Sequence, residues 1–434
     1  MIWSGQLLST LGTRMTNFAL SIWIWDKTGR ASDLALMTFC AFLATAVFSP
    51  IAGSLIDRWD RRLTIIISDV GSLVSTLGMI ALFWAGSAAV WQLYLINIVT
   101  GACLAFQVPV YNATISQMMS KEKFPRANAM MSLSKSVPGV FAPGLAAVLL
   151  TFADIKLILA VDALSYVVAI GTIFLVTMPE VVKKTAANGG GRLSDSLFGF
   201  RYMIQRPGLL GLSLMTFTLT VLAAMGWIVL TPMIMARTGG DQSQVGVVQA
   251  VGAIGGVIGG VVVGALRPTE RKMVRILPGI VVFSVLGRVL LGLGQSVVFW
   301  SVGWFFAWSC LPFILSYEQA IWQQKVAPEV QGRVFAARNL VDNLAPPIAF
   351  GTAGPISDFV LEPAMRHGGA LARVLRPLVG NGAGSGMALI FVFTGLLGVL
   401  LALGAFLFRP LREVESRIPD HDDEYAKENA PETV

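Results

Sequence analysis

Five ionisable side chains interrupt long apolar runs of this chain: Arg14, Lys135, Asp162, Arg288 and Asp342. If those runs cross a bilayer, each charge costs ~2.5–3.5 kcal/mol on insertion scales and is tolerated where it faces protein or water. The chemistry open to such groups is charge coupling, proton binding or ion pairing. Lys135 and Asp342 stand nine residues past Arg126 and Arg333 respectively, at matching depth and with opposite sign. They read either as part of a gating or coupling network or as structural ion pairs. Asp69, close to the start of its run, is expected only to cap or snorkel. Catalysis is not indicated. Cys40, Cys103 and Cys310 fall in three different runs with no metal-ligand spacing, and His367 and His421 lie outside the runs. No convergent His, Cys or carboxylate cluster is present, so neither an enzyme, a bound metal nor a cofactor is expected.

Two patterns could hold a ligand. Gln6, Thr10, Thr13, Asn17 and Ser21 recur at intervals of three or four, with Arg14 at their border. That is one polar helical face, either a cavity lining or a helix–helix seam. Trp300, Trp304 and Trp308 follow at intervals of four, with Phe305 and Phe306 beside them. Such a ridge can grip an apolar or cationic ligand or pack against neighbours, and Trp300 could anchor at an interface. Glu318 and Gln319 would add polarity beyond the ridge, and Asn97 and Gln107 are weaker additions.

Helices must position these residues. The 434 residues are 55% hydrophobic and 13% charged, about half the charge of an average soluble domain. A bilayer needs about 20 apolar residues per helix. Twelve such spans read at 2–25, 34–56, 63–85, 88–110, 127–152, 155–177, 208–235, 244–266, 274–293, 296–317, 333–357 and 386–408. Of the 32 Lys and Arg residues, 22 fall on the even-numbered loops and the C-terminal tail and 7 on the odd-numbered loops, residues near span ends being assigned to the adjoining loop. The other three, Arg14, Lys135 and Arg288, are intramembrane. This bias orients both termini to the cytoplasm. It also explains the net charge of +7 without nucleic acid. No cleavable signal peptide is expected, and the lipid bilayer is the expected surrounding.

A shift of 207 residues aligns Gly53 with Gly260, Cys103 with Cys310, Gln117 with Gln324, Glu122 with Glu329 and Arg126 with Arg333. A duplicated six-span unit returns the second copy to the same orientation, giving two pseudo-symmetric six-helix bundles of an all-α membrane protein. The expected organisation is an N-terminal half over 1–178, a cytoplasmic linker over 179–207, a C-terminal half over 208–408 and an acidic, disordered tail over 409–434. The linker carries Gly189, Gly190 and Gly191, with an amphipathic helix expected near 195–205 on the membrane surface. The Gly-rich stretch 359–385 reads as the longest external loop.

After the second span comes Gly53-Ser-Leu-Ile-Asp57-Arg58-Trp59-Asp60-Arg61-Arg62. It resembles the G-x-L-x-D-R-x-G-R-K signature of the major facilitator superfamily, with Asp60 in place of the second glycine. In its second-half counterpart, Gly264, Arg267, Arg271 and Lys272 remain and the acid is lost. The stretch Ile321 to Phe335, with Gly332 and Arg333, is similar to the macrolide-efflux and enterobactin-exporter branch. The resemblance covers about residues 1–410. It implies the twelve-helix fold, no cofactor, and a bacterial inner-membrane exporter of amphipathic compounds such as drugs, macrolides or siderophores, driven by proton antiport. Gly53, Asp57, Arg58, Arg61, Arg62 and Arg333 would form the conformational-gating motif. Arg14, Lys135, Asp162, Arg288 and Asp342 would couple. Gln6, Thr10, Asn17, Asn97, Trp304, Trp308 and Glu318 would line the cavity. In one respect the sequence departs from the pattern: Asn97 occupies the place where many drug–proton antiporters of the superfamily carry arginine. The absence of a G-x-x-x-x-G-K-[ST] loop disfavours ATP as the energy source. A monomer is expected. An uptake permease and a non-transporting receptor or scaffold are the alternatives at this point.

Overall fold

The computed structural model describes residues 2–56, 59–118, 124–175, 192–267, 269–365, 372–380 and 382–418. Among these the secondary structure is helical throughout, with no strand. The helices are α1 (Ile2–Thr28), α2 (Ala31–Ile56), α3 (Arg61–Trp84), α4 (Val90–Met118), α5 (Phe124–Phe152), α6 (Ile155–Phe174), α7 (Arg192–Ile204), α8 (Pro207–Thr238) and α9 (Gln242–Ala265). Then α10 (Met273–Ser284) passes through a π-helical turn, Val285–Val289, into α11 (Leu290–Leu293). After α12 (Val297–Lys325), α13 (Pro328–Pro355) continues through a second π segment, Ile356–Leu361, into α14 (Glu362–Met365). The chain ends with α15 (Ala372–Val379), α16 (Ser385–Leu407) and two short helices, α17 (Arg409–Arg412) and α18 (Val414–Arg417).

Each of the twelve expected spans has its long helix. Nine described stretches are long and apolar enough to cross a membrane. Helix α1 carries Arg14, and α13 carries Arg333, Arg338 and Asp342.

Helix α3 shows the inverted pattern of a lipid-embedded helix. Its buried face carries Thr64, Ser68, Asp69, Ser72, Ser75 and Thr76 along with Ile65, Met79 and Phe83, whereas Leu63, Ile67, Val74 and Leu77 are exposed. Apolar side chains facing outward suit hydrocarbon, and inward polar groups must then find partners in the protein. Capping fixes where the helices begin. Asp60 accepts from the Leu63 amide at 2.9 Å to start α3, and Asp154 accepts from the Ile155 amide at 2.8 Å to start α6. Asp241 accepts from the Ser243 amide at 3.0 Å at the start of α9. Gly29, at φ +61°, makes the tight turn between α1 and α2 that a β-carbon would strain.

Two compact units emerge, each discontinuous in sequence. One comprises Met1–Thr185, Trp227–Ala253 and Phe350–Ile390; the other comprises Ala186–Gly226, Ile254–Ala349 and Phe391–Val434. Within the first, α2 packs on α4, and α1 on α5 and α6. Gly101 of α4 meets the Ala41 backbone so closely that a β-carbon there would overlap it. Small residues at such points let membrane helices approach. Within the second unit, Gly255 and Gly259 of α9 meet the backbone of Phe305 and Ser309 of α12 in the same manner.

The helix expected near 195–205 is present as α7 (Arg192–Ile204). Helix α7 packs on α13, with Gly199 against the Arg333 carbonyl and Ala337, and the Arg333 guanidinium lies 4.1 Å from the Phe198 ring centroid. The expected disordered tail instead begins with α17 and α18, where Leu411 and Val414 are buried. Glu415 there accepts from the Lys272 amide at 2.6 Å and the Met273 amide at 3.2 Å, capping α10 from a distant point in the chain. The expected loop 359–385 contains the end of the second π segment, α14 and α15.

Candidate functional site

The polar face of α1 divides into two. Gln6, Ser9 and Thr16 are buried, and Thr13 is half-buried. Arg14 and Asn17 are exposed. Thr10 and Ser21 return their hydroxyls to their own helix, donating to the Gln6 and Phe18 carbonyls at 2.7 Å. The buried half serves two carboxylates. Thr13 donates to Asp162 Oδ1 at 3.2 Å, and Thr16 donates to Asp162 Oδ2 at 3.1 Å. Thr76 of α3 adds a third donor to Oδ2 at 3.2 Å. Gln6 donates to Asp69 Oδ2 at 3.2 Å, and Gln107 of α4 donates to Asp69 Oδ1. Asp162 and Asp69 are 1% and 0% exposed, so these neutral donors replace water. Among the described residues neither carboxylate forms an ion pair.

Gly12 makes room for this arrangement. A β-carbon on Gly12 would lie 2.6 Å from Ser165 Oγ and 2.9 Å from Asp162 Oδ1. Gly5, one heptad earlier, meets Thr172 and Ala169 of α6. Periodicity had marked the polar residues of α1, but not that glycines on the adjoining strip hold α1 against α6.

In the second unit, Arg338 and Arg288 are buried in contrasting environments. Arg338 of α13 donates to Glu318 of α12 at 2.5 Å and to Gln319 at 2.7 Å. Its Nε lies 3.4 Å from Asp342, one turn on. Glu318, fully buried, also accepts from Trp322 Nε1 at 2.5 Å. Glu318 therefore belongs to an internal ion-pair cluster and does not face an open vestibule. Asp342 is a member of the same cluster. Its sequence counterpart Lys135 lies in α5, and its side chain is outside the described residues.

Arg288, in the first π turn, is 2% exposed. It donates from Nη2 to the Ala223 carbonyl of α8 at 2.7 Å, while Nε and Nη1 have no hydrogen-bond partner. Its guanidinium lies 4.9, 5.8 and 5.5 Å from the ring centroids of Phe283, Trp304 and Phe391. The cation is thus held by ring faces and one carbonyl. A β-carbon on Gly226 would overlap the guanidinium. π turns recur at functional positions because they re-aim side chains by inserting a residue.

The tryptophan ridge turns mostly inward. Trp300 donates Nε1 to the Gly294 carbonyl at 2.9 Å and is buried, so it is a packing residue and not an interfacial anchor. Trp304 is also buried, beside Arg288 and edge-on to Trp308 at 6.1 Å. Trp308 is the ridge's exposed member. Asn97 is buried and donates to the Leu93 carbonyl of its own helix at 2.8 Å. Of the loop motif, Gly53 lies in α2, while Asp57 and Arg58 are outside the described residues. Arg62 donates to the Phe174 carbonyl at 3.1 Å, satisfying the C-terminal end of α6 as a cation should. Arg61 is half-buried at the start of α3.

The second π segment builds a further contact inside the first unit. Asp358 accepts from the Ala31 and Ser32 amides at 3.2 and 2.7 Å, capping the start of α2. Gly354 packs against Ala35 and Ser32 with no space for a β-carbon.

Comparison with known proteins agrees with this architecture. The chain is similar to Macrolide efflux protein A of Streptococcus pyogenes, 26% identical over 356 residues, covering 80% of this chain and 86% of that protein. It is likewise 26% identical to Macrolide efflux protein A of Enterococcus faecalis over 322 residues, covering 72% and 97%. Its fold matches that of a bacterial homologue of the human lysosomal transporter Spinster, solved inward-facing and unoccupied, with a TM-score of 0.66, 16% identity, and coverage of 95% and 96%. The Major Facilitator Superfamily profile matches residues 2–350. The chain therefore belongs to the Major Facilitator Superfamily, as a multi-pass membrane transporter and not an enzyme.

Proposed function

We propose that this transporter exports amphipathic small molecules of the macrolide class in exchange for protons. The observation that carries the reading is the likeness to macrolide efflux proteins along 86% of the Streptococcus pyogenes protein's length. The exposed Arg14 and Asn17 of α1 support it, offering polar contacts to a ligand. Alternating access then depends on the loop motif Gly53, Asp57, Arg58, Arg61 and Arg62 together with Arg333. Among the coupling residues, Asp342 acts by positioning Arg338, and Arg288 acts from its aromatic cage. The excess of Lys and Arg on the even loops and tail assigns both termini to the cytoplasmic face of a bacterial inner membrane, with the monomer as the working unit.

The test is accumulation of a radiolabelled macrolide in energised cells with and without the protein. Expression should lower accumulation, and a protonophore should restore it. Accumulation unchanged by expression removes the macrolide assignment. Efflux that persists under the protonophore removes proton exchange.

A further inference from the structure

We infer that Asp162 and Asp69 are the proton-binding pair of the transport cycle, and that α1 is the helix that reports their protonation to the ligand-facing side. This deepens the proton-exchange reading above and rests on it. Glu318 is compensated by Arg338, whereas a buried carboxylate facing only neutral donors gains the most by taking up a proton. Asp162 and Asp69 alone combine complete burial in the first unit with purely neutral donors among the described residues. Taking up a proton as the carboxylic acid removes a buried charge and turns one acceptor oxygen into a donor. The donors on the protonated oxygen then reorient; of the five, Thr13, Thr16 and Gln6 are on α1, with Thr76 on α3 and Gln107 on α4.

Thr13 Oγ1, bonded to Asp162, also lies 2.9 Å from the Tyr166 hydroxyl, so a change at Asp162 is passed to Tyr166. Gln6, earlier on the same helix, bonds Asp69, so α1 is common to both carboxylates. The other titratable groups on these helices are Arg14, Asp26 and Lys27 on α1, Arg61 and Arg62 on α3, Tyr94, Cys103 and Tyr111 on α4, Lys156 on α6, and Arg126 and Lys135 on α5, whose side chains lie outside the described residues.

Helix α1 links the two carboxylates to the polar face it exposes. One of its faces bonds both carboxylates, and the adjoining face presents Arg14 and Asn17. A shift or rotation of α1 on protonation moves both faces together. Exchange then follows from one element with two discrete positions.

The experiment compares the wild type with Asp162→Asn, Asp69→Asn and Tyr166→Phe in proteoliposomes, using a radiolabelled macrolide as probe. Each aspartate variant should lose accumulation driven by a pH gradient while keeping macrolide exchange at zero gradient, which also shows that it is folded. Tyr166→Phe should slow the driven flux and spare exchange. Gradient-driven accumulation at wild-type level in both aspartate variants overturns the assignment. A second readout is independent of the substrate: infrared difference spectra between acid and alkaline pH should contain a buried carboxylic C=O band that each Asn variant diminishes. If the wild type carries no macrolide but this band is present and lost in the variants, the macrolide reading fails and the proton pair stands. A band unchanged in both variants overturns the pair whatever the flux.

Discussion

Replacing Arg338 by Met should damage this protein more than replacing its partner Glu318 by Gln, and the double variant should lose less than the two single losses added together. Arg338 serves two acids, Glu318 at 2.5 Å and Asp342 at 3.4 Å. Arg338→Met strands a carboxylate that is 0% exposed, leaving Trp322 Nε1 as its charge-free donor. Removing one member of a buried pair costs about 3–5 kcal/mol because the other is left uncompensated. Glu318→Gln keeps an acceptor for Trp322 and leaves Arg338 beside Asp342, so about 1–3 kcal/mol is expected. In the double variant neither ion remains at that point, and the coupling should recover on the order of 2 kcal/mol. With about 2–4 °C per kcal/mol for a domain of this half's size, Arg338→Met should lower the melting temperature by on the order of 10 °C. The assay is size-exclusion chromatography of detergent-purified protein after graded heating. Strictly additive losses, or Glu318→Gln worse than Arg338→Met, would refute the account of the cluster as one guanidinium holding two acids.

Gly226→Ala should destabilise by about 1–3 kcal/mol through overlap with the Arg288 guanidinium, and Arg288→Met should largely suppress that cost in a double-mutant melt. Asp358→Ala removes the acceptor for two amides of α2. It should cost about 1 kcal/mol and raise thiol labelling of a Ser32→Cys reporter; unchanged labelling would show that the cap does not hold this contact. Gly101→Val places a branched side chain against the Ala41 backbone and should sharply reduce folded yield, whereas Gly78→Val, with open space around it, should not; yield is read by detergent-extracted monodisperse protein.

The helices were legible in the sequence because span length and charge bias reflect the solvent directly. Partnerships within the bundle were less so. Asp162 stood out as an isolated charge, but Asp69, six residues into its span, looked like a snorkelling residue and proved fully buried. The donors Gln6 and Gln107 lie 63 and 38 residues away from it, a distance that no local pattern encodes. The even spacing of the tryptophans was real, yet spacing does not tell which neighbours a face meets. Trp300 and Trp304 turned into their own unit, and Trp308 did not. Thr16 was passed over because it sits beside the marked stripe and not on it. The apolar-poor character of the C-terminal stretch suggested disorder, and Leu411, Val414 and Glu415 were too few to signal docking.

That docking gives the second unit a particular order of completion. Lys325, at the end of α12, donates to the carbonyls of Glu415 and Ile418, and the first amides of α10 are capped by Glu415. Ribosomes make these acceptors only after every membrane-crossing helix has been synthesised. Until residue 418 leaves the exit tunnel, α10 lacks its cap and the Lys325 ammonium lacks those two carbonyls. A stop codon or a rigid fusion placed a few residues too early would therefore act as an assembly defect of helices synthesised more than 90 residues before it, and the chain would be most exposed to membrane quality control in that interval.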